Sequence, residues 1–193
     1  MAGSRGPGKR AAGLTLAEML VVVAVLAIAA TFAIPQADTQ AAYAADTAAG
    51  EVARALRFAQ REAIRTGTYQ HVSVDSASQM LRVYQIIDKT DVPATHPVDK
   101  TPYQISFAGN AMLRATIVSA VFKYEGGPTL NVASFGPDGA PAYVDPGLLG
   151  QVWGFLLGSK DIDPLKEDGQ IRIRYGNVER VVRVAPVTGR VTL

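Results

Sequence analysis

Few of the 193 residues carry side chains spaced for chemistry, and the least expected is Glu18. It heads a run in which Met19 to Ile34 gives sixteen residues with Thr31 as the only polar side chain. An ionised carboxylate at a membrane helix centre costs about 3 kcal/mol even on the lenient insertion scale, so a chain that keeps one there needs something to neutralise it. The two histidines offer less. His71 falls in a strand-like pattern and His96 in a proline-rich stretch, with no Glu-x-x-His or comparable ligand spacing near either. Asp161, Asp163, Glu167 and Asp168 place four acids within eight residues, the oxygen chemistry of a calcium site. Lys160 and Lys166 compete for them, and a solvated charged loop is the expectation. There is no cysteine, which excludes disulfides, thiol catalysis and thiolate metal sites. No nucleophile elbow, phosphate loop or dinucleotide fingerprint occurs either, so no enzyme, metal or cofactor is expected.

A last chemical candidate is basic. Arg172, Arg174, Arg180, Arg183 and Arg190 lie in the final 24 residues, opposed only by Glu179. Alternation in "IRIRY" (171–175) sends arginines to one strand face and isoleucines inward. Such a stripe has the chemistry to contact phosphates or a partner. Tyr175 alone would offer a base a stacking surface, so solubility is the expectation ahead of nucleic acid. The net charge of +2 and pI of 8.9 do not argue otherwise. Arg5, Lys9 and Arg10 precede the apolar run, and without them 16 basic side chains face 17 acidic ones.

These groups must be positioned by a few elements. Leu14 to Ile34 would make about 31 Å of helix, close to a bilayer core, with a basic flank that keeps its start cytoplasmic. Three readings are open: a secretory signal with an Ala42-Tyr43-Ala44 site, a plain signal anchor, and one in which Glu18 has a purpose. Pro35 predicts a kink. Beyond it Ala41, Ala45, Ala48, Val52, Leu56, Ala59 and Ala63 recur at steps of three or four, with Arg54, Arg57, Arg61, Glu62 and Arg65 on the other faces and Gly67 as the stop. Strands are expected near 69–75, 80–87, 103–107, 113–123, 129–135, 171–175, 178–184 and 187–193, with a hairpin over Gly176-Asn177 and a loop over 88–102. The class is α+β: a long N-terminal helix, half apolar and half amphipathic, on an antiparallel sheet domain.

"GLTLAE" (13–18) ahead of the apolar run resembles the leader junction of type IV pilins and pseudopilins. The resemblance implies cleavage by a prepilin peptidase between Gly13 and Leu14 and methylation of Leu14 as the new first residue. Glu18 and Pro35 then stand at the fifth and twenty-second mature positions, as in the family; Leu14 replaces the commoner phenylalanine. Cleavage frees an α-amine near the membrane surface, which Glu18 of a neighbouring subunit can meet, setting one axial register in a filament. "ARALRFAQREAIRTG" (53–67), "ASFGPDGAP" (133–141) and "VVRVAPVTGRVTL" (181–193) are similar to the minor pseudopilins of the GspH/FimT kind. Expected domains are a leader at 1–13, a transmembrane assembly segment at 14–35, its amphipathic continuation at 36–67, and a β-rich periplasmic domain at 68–193.

Residues 141–168 fit that pattern poorly and read as an insertion, whose Trp153, Phe155 and Leu156 either tuck onto the sheet or dock a partner. The resemblance implies a minor pseudopilin of a type II secretion system in the bacterial inner membrane. Its partners would be other pseudopilins, the peptidase, the inner-membrane secretion platform and the lipid bilayer. The alternatives are a FimT-like minor pilin of a type IV pilus, with the C-terminal arginines on DNA, and an exported binding domain.

Overall fold

The computed structural model describes residues 15–33, 35–110, 113–125, 129–144 and 162–193, giving backbone alone within 31–39. The chain divides into two compact units, Met1–Thr39 and Gln40–Leu193.

In the first unit α1 spans Leu16–Ala33. Thr15 starts it: its hydroxyl accepts the Glu18 amide N–H at 3.3 Å, and its carbonyl accepts the amides of Glu18 and Met19 at 3.0 and 3.2 Å. Every large apolar side chain from Leu16 to Ile28 is 47% to 84% exposed. A helix apolar all round is one that expects lipid or other helices about it. The described side chains of α1 reach only to Ala30, fifteen residues or about 22 Å of helix. Among the described residues no helix is long and apolar enough to cross a membrane. The second helix, α2 (Pro35–Thr66), opens on Pro35, where a missing N–H costs nothing because first-turn amides have no helical acceptor.

The second unit is built on α2 from Gln40 onward. Ala45, Ala48, Ala49, Val52, Ala53, Ala55, Leu56, Ala59 and Ala63 are fully buried along one face. Gly67, at φ +66°, ends the helix by returning its N–H to Ala63 O at 3.0 Å, a left-handed cap that side-chain-bearing residues resist. One antiparallel sheet runs β3-β2-β1-β7, from β1 (Gln70–Asp75), β2 (Met80–Ile87), β3 (Thr90–Pro93) and β7 (Val132–Phe135), with β4 (Gln104–Ser106) also on β2. The other runs β12-β11-β10-β5-β6, from β5 (Thr116–Lys123), β6 (Thr129–Leu130), β10 (Gly169–Tyr175), β11 (Val178–Val184) and β12 (Val191–Thr192). Val72, Val74, Leu81 and Val83 of the first sheet and Phe122, Ile171, Ile173 and Val182 of the second share one core with α2.

Tyr124 clips the sheets together. Its buried hydroxyl donates to Val132 O at 3.0 Å and accepts from Ser134 N at 2.9 Å, so a side chain just past β5 closes the edge strand β7. Gly169 is required by packing: a Cβ there would run into the ring of fully buried Phe122.

Three expectations change. The predicted 88–102 loop holds β3, paired with β2 from Tyr84↔Pro93 to Ile87↔Thr90 across a two-residue turn. Asp88 and Lys89 take positive φ values of 48° and 65°, which match the twist of a hairpin without the usual Asn-Gly. The strand expected over 187–193 shortens to β12, because 185–190 turn about Gly189 at φ +64°. The charged loop over 161–168 is in part a strand: β8 (Ala142–Val144) pairs with β9 (Ile162–Pro164), so the expected insertion enters and leaves through a ladder. Trp153, Phe155, Leu156 and Asp161 lie outside the described residues.

Candidate functional site

Chemistry concentrates at the head of α1, on the outward side of α2 and on the C-terminal strands. At the first place the sequence Thr15-Leu-Ala-Glu18 has the spacing of a helix-start signature, and Thr15 does cap the helix. Glu18 stands exposed in the first turn, where a carboxylate complements the partial positive charge of unsatisfied amides. This second use of Glu18 was legible in the Thr-x-x-Glu spacing. Gly13 and Leu14 lie outside the described residues.

The five C-terminal arginines do not form one stripe. The two-residue turn at Gly176-Asn177 pairs Tyr175 with Val178 and therefore Ile173 with Arg180. Directly opposed residues share a face, so Arg180 points to the core side with Val182 and Val184. There its Nε donates to Asp46 Oδ1 of α2 at 2.5 Å, an ion pair that raises the guanidinium's affinity for its proton. Arg172, Arg174 and Arg183 are exposed on the opposite face, Arg172 lying 3.8 Å from Glu179. Arg190 belongs to the turn before β12, where its carbonyl accepts from Ala185 N at 3.0 Å.

On α2, Arg54, Arg57 and Arg61 line a groove of about 590 Å³ with Gly50 and Gln60. Arg54 is paired with Glu51 at 2.7 Å. Arg57 donates to Val191 O at 3.1 Å and Arg61 to Arg57 O at 3.2 Å, and neither has a carboxylate partner among the described residues. Gln60 Nε2 forms one wall by donating to Gly139 O at 2.8 Å and Thr188 O at 3.0 Å. Gly50 lies mid-helix, where glycine costs about 1 kcal/mol relative to alanine, and a Cβ there would meet nothing within 4 Å.

The histidines are not brought together. His71 is buried on β1, its ring stacked on Tyr84 at 5.3 Å, and burial lowers its pKa to about 4 against a smaller upward pull from Asp91. Its Nδ1 and the Oγ of Ser134, its cross-strand partner, are both buried without a hydrogen bond among the described residues. His96 packs on Tyr103 with its Nδ1 2.9 Å from Asp99 Oδ1. Among the described residues no three His, Asp or Glu side chains gather as a metal site. Glu167 is engaged with Lys123 at 2.7 Å, which holds its carboxyl below the usual range.

The model of the prokaryotic N-terminal methylation motif matches residues 8–34, the stretch containing Gly13, Leu14 and Glu18. That stretch of the chain carries the methylation motif. No curated protein matches it in sequence. Among solved structures it is similar to the minor pseudopilin EpsH of the Vibrio cholerae type 2 secretion system, at 16% identity and TM-score 0.48 over 77% of this chain and 95% of that one. A second EpsH structure gives 17% identity and TM-score 0.43 over the same shares. The type IV minor pilin FimU of Pseudomonas aeruginosa gives 14% and 0.42, over 77% and 87%. With TM-scores below 0.5 all three likenesses are distant. The chain itself combines the methylation motif at residues 8–34 with an N-terminal helix and antiparallel sheets.

Proposed function

We propose that this pilin-like chain is a minor pseudopilin, a structural subunit of the periplasmic filament of a type II secretion system. A prepilin peptidase cuts after Gly13 on the cytoplasmic side, Leu14 becomes the methylated first residue, and the domain beyond α1 faces the periplasm. The bilayer holds the subunit before assembly, and the inner-membrane secretion platform delivers it to the filament.

The observation that carries this reading is α1: apolar on every side, with one carboxylate in its first turn. Such a helix leaves lipid readily only for other apolar helices. On that path Glu18 would be an uncompensated charge unless it meets the α-amine of a neighbouring Leu14, and that pair selects one axial stagger. A subunit of a type IV pilus would use the same N-terminal chemistry, and the genes flanking this one separate the two. Mass spectrometry of the mature N-terminus, with and without the peptidase, is the test. A methylated Leu14 is expected, and a mature end near Ala45 would overturn the reading.

A further inference from the structure

Gly50 is a cost without an internal reason. Its φ lies outside the left-handed region, and among the described residues no atom stands within 4 Å of where its Cβ would be. Nothing among the described residues asks for glycine there. A glycine on the outward side of a helix serves something that must come close to the backbone.

The arginines beside it have the same character. Residues 54, 57 and 61 succeed one another at steps of three and four, so their like charges repel along the isolated helix. Arg57 and Arg61 are nevertheless held in place through the Val191 and Arg57 carbonyls, pre-oriented and without a carboxylate among the described residues. We propose that the groove over Gly50, Arg54, Arg57 and Arg61 receives an α-helix of a neighbouring pilin-type subunit that presents carboxylates at matching steps. Guanidinium forks pair bidentately with carboxylates, and the missing Cβ lets the two helix backbones approach at the crossing. Among the described residues the groove lining contains no aromatic on which a base would stack, which disfavours a nucleic acid. The same face of a second copy is a poor occupant, because Glu51, Glu62 and Asp46 already serve Arg54, Arg65 and Arg180. The proposal rests on the filament reading above.

The test uses the full chain in membranes with prepilin peptidase present. A photocrosslinker replaces Arg54, the captured peptide is identified by mass spectrometry, and filament incorporation is measured in parallel. The expected capture is a carboxylate-bearing helix of another pilin-type subunit. The double variant Arg57→Glu/Arg61→Glu should reduce capture and incorporation at least tenfold, with cleavage after Gly13 unchanged and recovery when the partner's carboxylates are changed to arginine. Gly50→Leu, whose Cβ has room among the described residues, should give the same loss without altered protease resistance. Undiminished incorporation of either cleaved variant, or capture of nucleic acid, lipid or a peptide without carboxylates, would overturn the surface and leave the filament reading standing. A chain left uncut sinks the filament reading and this surface with it.

Discussion

The buried imidazole of His71 makes the stability of the second unit depend on pH in a window that lies mostly above that of the paired carboxylates. Burial favours the neutral ring and lowers its pKa from 6.5 to about 4. The unfolded chain therefore binds the extra proton first, and folding stability falls as the pH drops through this interval. At about 1.4 kcal/mol per pKa unit, the loss totals about 3 kcal/mol between pH 6.5 and pH 4. Glu62, Asp75, Asp99 and Glu167 are held below their ordinary values by Arg65, by Ser78, by the Thr101 backbone and by Lys123. Their contribution is lost only as the pH falls below about 4.5.

Urea unfolding of the full chain in detergent, followed by tyrosine circular dichroism at several pH values, reads this directly. His71→Leu and His71→Phe should both flatten the limb between pH 6.5 and 4.5, whatever they do to stability at pH 7. Asp91→Asn should deepen it, because Asp91 pulls the imidazole pKa upward. If the limb survives unchanged in both His71 variants, the buried ring is not its source and the reasoning fails.

Tyr124→Phe removes one hydroxyl but strands two backbone groups, Val132 O and Ser134 N, and should cost about 2–3 kcal/mol by urea midpoint. Glycine-to-alanine changes should split in sign. Gly169→Ala presses on the buried Phe122 ring and should destabilise by about 1–3 kcal/mol, with Phe122→Leu restoring part of it. Gly50→Ala meets open space and should stabilise by about 1 kcal/mol, a rise of about 2–4 °C in Tm. Glu18→Ala should leave cleavage after Gly13 intact and abolish filament incorporation, read by mass spectrometry and by sedimentation of sheared filaments.

The elements that read clearly from the sequence have their punctuation in side chains. The starts of β2 and β11 are legible from "DSAS" and "YGN", and the end of α2 from Gly67. Strand β3 is not, because its turn places Asp88 and Lys89 in a conformation usually signalled by Asn or Gly. Arg180 is a different kind of miss. A two-residue turn over Gly176-Asn177 already dictates that residue 180 faces residue 173, so its inward position was available from counting alone. What no count supplies is the partner, since Asp46 lies 134 residues away on a helix whose docking depends on the whole core.

The two units divide labour along the same line. In Gln40–Leu193 most oddities have an internal cause: Gly169 makes room for Phe122, Gly67 ends a helix, Tyr124 closes an edge. On the described helices two features lack one, the uniformly exposed apolar surface of α1 and the arginine groove at Gly50. Both lie on the N-terminal helices, and both are unfavourable for an isolated molecule, the first by hydration of apolar surface and the second by like-charge repulsion. A sequence that tolerates two such costs on its helices while packing its sheets tightly makes sense as a subunit whose helices are completed by neighbours.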